Sequence, residues 1–395
     1  MSGTVLVVNS GSSSIKYQLL DPDSGDVVAS GLLERIGEPS GHLRHTVDGE
    51  KHERDLPQVD HTAGLSAVLA AFDELGPALA DAGIRAVGHR VVQGGAEFSG
   101  PVALDDDAVS RIDALSPLAP LHNPGNVAGI RVARELLPDV PHVAVFDTAF
   151  FADLPEAAAT YALEKETAKK YAIKRYGAHG TSHQFVSDAV STMLGRDDLR
   201  QIVLHLGNGA SASAVVGGRA VDTSMGLTPL EGLVMGTRTG DMDPAVVFHL
   251  RRVGGLGVDE IDDLLNKRSG LKGLTGHNDM REVRELAGAG DADARLALDV
   301  YGHRLRKYVG SYAAVMGGLD AVTFTAGVGE NDALIRAEVL APLGFLGIEL
   351  DDAANTARSS EPRVISAPGS AVTVLVVPTN EELAIARHTI EVSGA

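Results

Sequence analysis

Short apolar runs bounded by glycine, serine or aspartate recur along the chain. They predict strands at Thr4–Val8, Lys16–Leu20, Val27–Leu33, Ala86–Val92, His142–Phe146, Ile202–Leu206, Ser213–Val216, Ala321–Thr325 and Val372–Val377. Between them the apolar period lengthens. Leu298, Tyr301, Leu305, Tyr308, Tyr312 and Val315 step by three or four, which puts one stripe on a helix from about Ala292 to Met316. Leu65–Ala82, Val127–Leu137, Phe185–Leu194 and Asp259–Lys267 are shorter helical patterns. Alternating strands and helices predict the α/β class.

The chain also echoes itself. Leu6-Val7-Val8-Asn9-Ser10-Gly11-Ser12-Ser13 aligns with Leu204-His205-Leu206-Gly207-Asn208-Gly209-Ala210-Ser211, 198 residues further on. Each copy is an apolar strand, a small-residue turn and a second strand, with a third run after it at Val27–Leu33 and Arg219–Asp222. Two such meanders half a chain apart predict two similar α/β domains facing each other across a cleft. Chance likeness of two Gly/Ser turns is the alternative. A soft boundary separates residues 1–150 from 151–380, and a terminal helix over 381–395 is free to pack back on the first domain.

Composition narrows the function. A length of 395 residues suits roughly two or three domains. The absence of cysteine excludes disulfides, thiolate metal sites and a thiol nucleophile. A formal net charge of −19 with no basic block disfavours nucleic acid as a partner. The stretch Val364–Asn380 is broken by Pro368, Gly369 and Pro378, and Val5–Val8 is too short for a signal core, so neither a membrane partner nor export is expected. The predicted location is cytoplasmic. Glycine, at 45 residues, is in excess, which points to backbone that approaches a ligand closely.

Gly207-Asn208-Gly209-Ala210-Ser211-Ala212 fits the dinucleotide fingerprint formally, but a strand pattern follows it where that motif needs a helix. No P-loop, protein-kinase or G-x-S-x-G signature occurs. What remains is the turn Asn9–Ser14 ending on Lys16, whose small residues let backbone N–H groups and hydroxyls reach phosphate oxygens. Gly207–Gly209 and Gly327–Asn331 have the same character, and each follows an apolar strand. An ordinary turn with a surface lysine is the alternative for any one of them.

Taken in order, Val5–Lys16, Gly88–Val92, Phe146–Phe150, Tyr176–His183, His205–Ser211, Met235–Pro244, Gly327–Asn331 and Thr379–Glu382 closely resemble the acetate kinase family. The resemblance implies a duplicated fold of the acetate and sugar kinase, actin-like type. It also implies ATP and acetate as substrates, ADP and acetyl phosphate as products, Mg²⁺ (with Mn²⁺ as a substitute) and a homodimer. By the same resemblance Asp147, His179, Arg238 and Arg90 are catalytic, and transfer is direct and in line, without a phospho-Asp147 intermediate. Arg90, Val92, Leu121, Ala178 and Pro229 bind the acyl substrate. Asn9 and Glu381 hold the metal. The nucleotide falls to Ser12, Ser14, Lys16, His205, Leu206, Gly207, Asn208, Gly209, Asp279, Met280, Arg281, Gly327, Val328, Gly329, Glu330 and Asn331. His122 is a helper or a structural histidine, and Glu382 a charge complementing the last helix dipole. The pair His179 and His183, spaced i, i+4, lacks a third metal ligand at motif spacing. Independently of resemblance, Asp279–Arg281 reads as a plain helix start.

Three positions depart from the family pattern: Ala178 stands where phenylalanine is usual, and Gln93 and Phe151 where histidines are. Acyl-chain preference is what Ala178 puts in question. Propionate or butyrate kinase is the near rival. The distant one is an ATP-dependent switch of the actin or chaperone kind, against which the paired Arg90 and Arg238 argue.

Overall fold

In the computed structural model, which describes residues 3–79 and 81–395, the chain divides into two compact units. The first runs to Ala152 and takes in Asn380–Ala395, and the second is Asp153–Thr379.

The first unit is built on β1 (Thr4–Ser10), β2 (Ser14–Leu20), β3 (Val27–Glu34), β4 (Ser40–Val47), β5 (Glu50–Pro57), β6 (Ile84–Val91), β7 (Val102–Ala103) and β8 (His142–Phe146). Their order in the sheet is β5-β4-β3-β2-β1-β6-β8-β7. The strands from β5 to β1 are antiparallel, β6 and β8 run parallel to β1, and β7 closes the far edge antiparallel. β1 and β8 read as unbroken apolar runs because helices cover both faces. On one face, Leu6, Val8 and Val87 pack with Phe72 of the helix His61–Leu75 and Val132 of the helix Asn123–Leu136. On the other lies the helix Glu381–Ser393. It comes so close that a Cβ on Gly88 would stand 2.4 Å from Thr389 Oγ1 and 2.9 Å from Ile385 Cγ2.

The second unit repeats this plan. β9 (Arg200–Leu206), β10 (Ala210–Val216), β11 (Arg219–Thr223), β12 (Ala321–Thr325), β13 (Arg363–Val364) and β14 (Thr373–Val376) are ordered β11-β10-β9-β12-β14-β13. Strand for strand this is the series from β3 to β7 of the first unit, including two parallel neighbours and an antiparallel edge. The echo between the two Gly/Ser turns is therefore a repeat of topology. Alternation along β9 sorts its side chains: Ile202, Leu204 and Leu206 join the cluster of Ala297, Leu298, Leu305 and Tyr312 on the helix Ala292–Val315, while Val203 joins Val186 and Val190 of the helix Gly180–Leu194.

Several expectations need correction. The helical pattern over Leu65–Ala82 begins earlier, at His61, and stops at Leu75, where Gly76 adopts a φ of 87°. Ala80, within the predicted extension, lies outside the described residues. Gly327–Asn331 is part of a short helix, Ala326–Asn331, and not a turn. The hairpin β4–β5 and the edge strands β7 and β13 carried too little apolar alternation to be expected.

Candidate active site

In the first unit, Arg90 near the end of β6 lies beside Asp147, which follows β8 directly. The two strands are parallel neighbours, with Val91 opposite Phe146. Arg90 Nε and Nη2 donate to the two Asp147 carboxylate oxygens at 3.0 and 2.5 Å. Nη1 reaches Asn9 Oδ1 at 3.4 Å, and Glu381 Oε2 stands 3.8 Å from Nε. Burial works against the Arg90 charge, but Asp147, Glu381 and Glu382 outweigh it and raise its pKa. Asp147 is 1% exposed, so the ion pair is shielded from water on its acidic side.

Asn9 comes to this cluster on β1, and Glu381 on the first turn of the helix Glu381–Ser393, which the absent Gly88 side chain lets settle on β6. Two buried asparagines tie the loops together: Asn126 accepts from Val92 N at 3.1 Å and donates to Ser10 O at 2.6 Å, while Asn123 exchanges hydrogen bonds with the Gln93 backbone. Neither was expected from sequence. Buried amides in an apolar helix pattern were the only trace of them.

Lys16, read as a phosphate contact, pairs with Glu382. Glu382 is thus more than a dipole partner. Ser12 is exposed and Ser14 half-buried in the same turn. Of the acyl-pocket residues in this unit, Val92 is buried whereas Leu121 is 41% exposed.

In the second unit His179 sits at φ 60°, ψ 23°, a left-handed conformation that is costly for a residue with a β-carbon, and opens the helix Gly180–Leu194. Its Nδ1 meets Ser211 Oγ at 2.9 Å. The same oxygen meets His183 Nε2 at 2.7 Å, and His183 Nδ1 meets Ser213 Oγ at 2.7 Å. His205 stacks on His179 with ring centres 4.3 Å apart and binds Ser182 Oγ through Nδ1 at 2.8 Å. His179 and His183 therefore share a hydroxyl. Among the described residues no group of three or more His, Cys, Asp and Glu could hold a metal ion. Burial, helped by His205, drives the His183 pKa well below its usual value. The sequence signal was the alternation Ala210-Ser-Ala-Ser-Ala214: its alanines face the core, its serines the histidines.

Arg238 has a different setting from Arg90. It donates to Pro229 O at 3.1 Å, and among the described residues it pairs with no carboxylate, so burial lowers its pKa. Pro229 thus touches Arg238 through its carbonyl. The Arg238 loop is pinned to the Gly207–Gly209 turn by Gly236 N donating to Asn208 O at 2.8 Å, at a spot where a Cβ would lie 2.0 Å from Asn208 Oδ1. Ala178, next to His179, is 2% exposed and belongs to the core cluster that contains Leu206, Met225 and Met235.

The remaining nucleotide candidates also lie in this unit, and Asn278, next to Asp279, donates to Asn208 Oδ1 at 3.2 Å. Asp279 caps the helix Met280–Gly288 and binds its own Arg281, which draws the Asp279 carboxyl down to about 2. That is the plain helix start, with Met280 buried beneath it. Glu330 folds back to accept from Ala326 N at 2.8 Å, and Asn331 donates to Gly327 O. Gly329 and Glu330 present their carbonyls to Arg336 at 2.8 and 3.0 Å. Arg336 is 1% exposed, and burial with nearby Arg363 pushes its pKa down to about 10. Sequence reading passed over it as one more helical arginine.

The family model of the acetokinase family matches residues 4–387. The acetate kinase of Leifsonia xyli is 60% identical over 393 residues, covering 99% of both chains. The crystal structure of Porphyromonas gingivalis acetate kinase superposes with a TM-score of 0.94 at 43% identity, covering 99% of each chain. That of a propionate kinase from Francisella tularensis does so with a TM-score of 0.94 at 42% identity, covering 98% of this chain and 99% of the other. Matched over nearly its whole length, the chain belongs to the acetokinase family.

Proposed function

We propose that this protein is an acetate kinase, which reversibly transfers the γ-phosphoryl group of ATP to acetate, giving acetyl phosphate and ADP. The observation that carries this reading is the match through residues 4–387, which takes in every charged residue assigned to the reaction. In the transfer, the phosphorus–oxygen bond to ADP breaks as one to an acetate oxygen forms. Acetate is already ionised at neutral pH, so no residue has to remove a proton. The protein's task is to neutralise and align crowded anions. Arg238, with no carboxylate of its own, is suited to an incoming oxyanion, and His179 to donating a hydrogen bond to the phosphoryl oxygens.

Arg90 is assigned to the acyl substrate, held at a fixed angle by Asp147. Both Asp147 oxygens are engaged by Arg90, which favours direct in-line transfer over a phospho-Asp147 intermediate. The oxygen donors Asn9 and Glu381 suit a hard ion that keeps most of its waters, and they would hold Mg²⁺. Bound there, the ion supplies charge neutralisation on the phosphates. We also expect a cytoplasmic homodimer, for which light scattering of the purified protein is the check.

The Francisella relative favours propionate as the second reading. Trapping the acyl phosphate as hydroxamate across acetate, propionate and butyrate separates the two. Acetate is expected to give the highest kcat/KM, with propionate next. ATP turnover at full rate without acetate, and without acetyl phosphate, would overturn both.

A further inference from the structure

A hydroxyl sealed in a dry interior has one proton to place, and Ser213 has one place to put it. Ser213 is fully buried, and among the described residues the sole partner of its Oγ is His183 Nδ1. If His183 Nδ1 carried the hydrogen, the Ser213 hydroxyl proton would be buried without an acceptor, which is costly in a dry interior. So Ser213 donates, and Nδ1 of His183 accepts. His183 is itself fully buried and held neutral, so its single hydrogen sits on Nε2 and points to Ser211 Oγ at 2.7 Å. Ser211, now accepting from His183, turns its own proton to the other neighbour, Nδ1 of His179, at 2.9 Å. Every hydrogen in the series finds an acceptor in this direction only.

We propose that Ser213, His183 and Ser211 form a directed hydrogen-bond chain that fixes His179 as the tautomer with its proton on Nε2. The chain rests on the reading of His179 as a donor to the phosphoryl group, since that tautomer is the one able to donate outward from the ring edge opposite Ser211. The three are positioning residues. The left-handed backbone at His179 serves the same end, because it turns the ring so that Nδ1 meets β10. Other polar groups near the ring are His205, stacked on it, and Arg238, whose Nη1 lies 3.7 Å from where a Gly209 Cβ would be, with His179 Cε1 3.5 Å from the same point.

The test uses the full chain, without ligand, labelled with ¹⁵N-histidine. The His179 signals are assigned by their loss in His179→Ala. Wild type is expected to show Nε2 protonated and Nδ1 bare, and Ser211→Ala to mix the two tautomers of His179. In parallel, Ser211→Ala should lower kcat by roughly tenfold to a hundredfold while KM for acetate and ATP stays within about twofold. Ser211→Thr, which keeps the hydroxyl, should restore it. Ser213→Ala should act in the same direction more weakly, through His183. Nδ1 protonation of His179 in wild type overturns the chain, as does a His179 spectrum unchanged by Ser211→Ala. A shifted spectrum with unchanged kcat overturns its part in catalysis. Failure of the kinase reading itself shows elsewhere, as wild-type turnover that ignores acetate.

Discussion

Arg90 and Arg238 are the same side chain in two opposite electrostatic settings, and replacing them should separate activity from stability. Both are expected to lose kcat by roughly 10²–10³ on change to alanine, as when one donor to a charged transition state is removed. Their melting temperatures should diverge. Arg90→Ala leaves Asp147 buried without its bidentate partner, and breaking a buried pair typically costs about 3–5 kcal/mol. Arg238→Ala removes a buried cation that pairs with no carboxylate among the described residues, so the melt should hold or rise. Thermal melts beside steady-state kinetics decide this; equal melts would mean the two sites are electrostatically alike. Motif spacing singled out both arginines, but could not tell which one had a permanent partner. That difference lies in long-range pairing between the ends of β6 and β8. At Ala178 the packing suggests a different effect from an open acyl pocket: a phenylalanine there must enter a filled core, with a cost of about 1–3 kcal/mol.

At the level of elements, the central strands were legible because burial on both faces makes them uniformly apolar. The hairpin β4–β5 was not, since β5 is largely charged and is held by pairs such as Arg44 Nε to Glu53 Oε1 at 2.7 Å. Its turn did leave a trace: Asp48 and Gly49, at φ 50° and 79°, form the Asp-Gly loop of a tight hairpin. The short helix Ala326–Asn331 was misread because its capping acceptor comes from within, four residues on, at Glu330. Helix placement yields a further test at Gly88. Gly88→Ala would put a methyl 2.4 Å from Thr389 Oγ1 and force the helix Glu381–Ser393 outward, carrying Glu381 with it. The Mg²⁺ dependence of the variant should shift to higher concentration with KM for acetate less affected. An unchanged Mg²⁺ titration would detach Glu381 from metal binding.

For the whole molecule, buried neutral histidines set the acid limit. His89 and His142 stack within the first unit, with Nε2 of His89 2.9 Å from Nδ1 of His142 and Nε2 of His142 bonded to Leu137 O. Burial lowers both pKa values, and each adds to the effect of burial in His183 and His45. The unfolded chain takes up these protons first, at about pH 6.5, where the folded protein resists them. Stability should therefore be level above about pH 7 and fall as pH drops through and below about 6.5. The double variant His89→Leu with His142→Leu should flatten that slope in part, leaving the share of His183 and His45. An identical slope in pH-dependent melts would place the acid sensitivity elsewhere. Net charge could not have forecast this, because its 53 acidic residues are mostly at the surface, whereas these rings are not.

The helix Glu381–Ser393 belongs to the first unit although more than two hundred residues of the second are made before it. During synthesis on the ribosome, the second unit is contiguous and free to fold as it emerges, while β6 and β8 of the first wait with one face bare. The nascent chain thus carries an exposed apolar bed around Gly88 for most of its translation, a natural place for a chaperone to bind. Stalling translation after Thr379 should leave the first unit open to protease and the second resistant, so the last helix to be made decides when the earliest strands are finished.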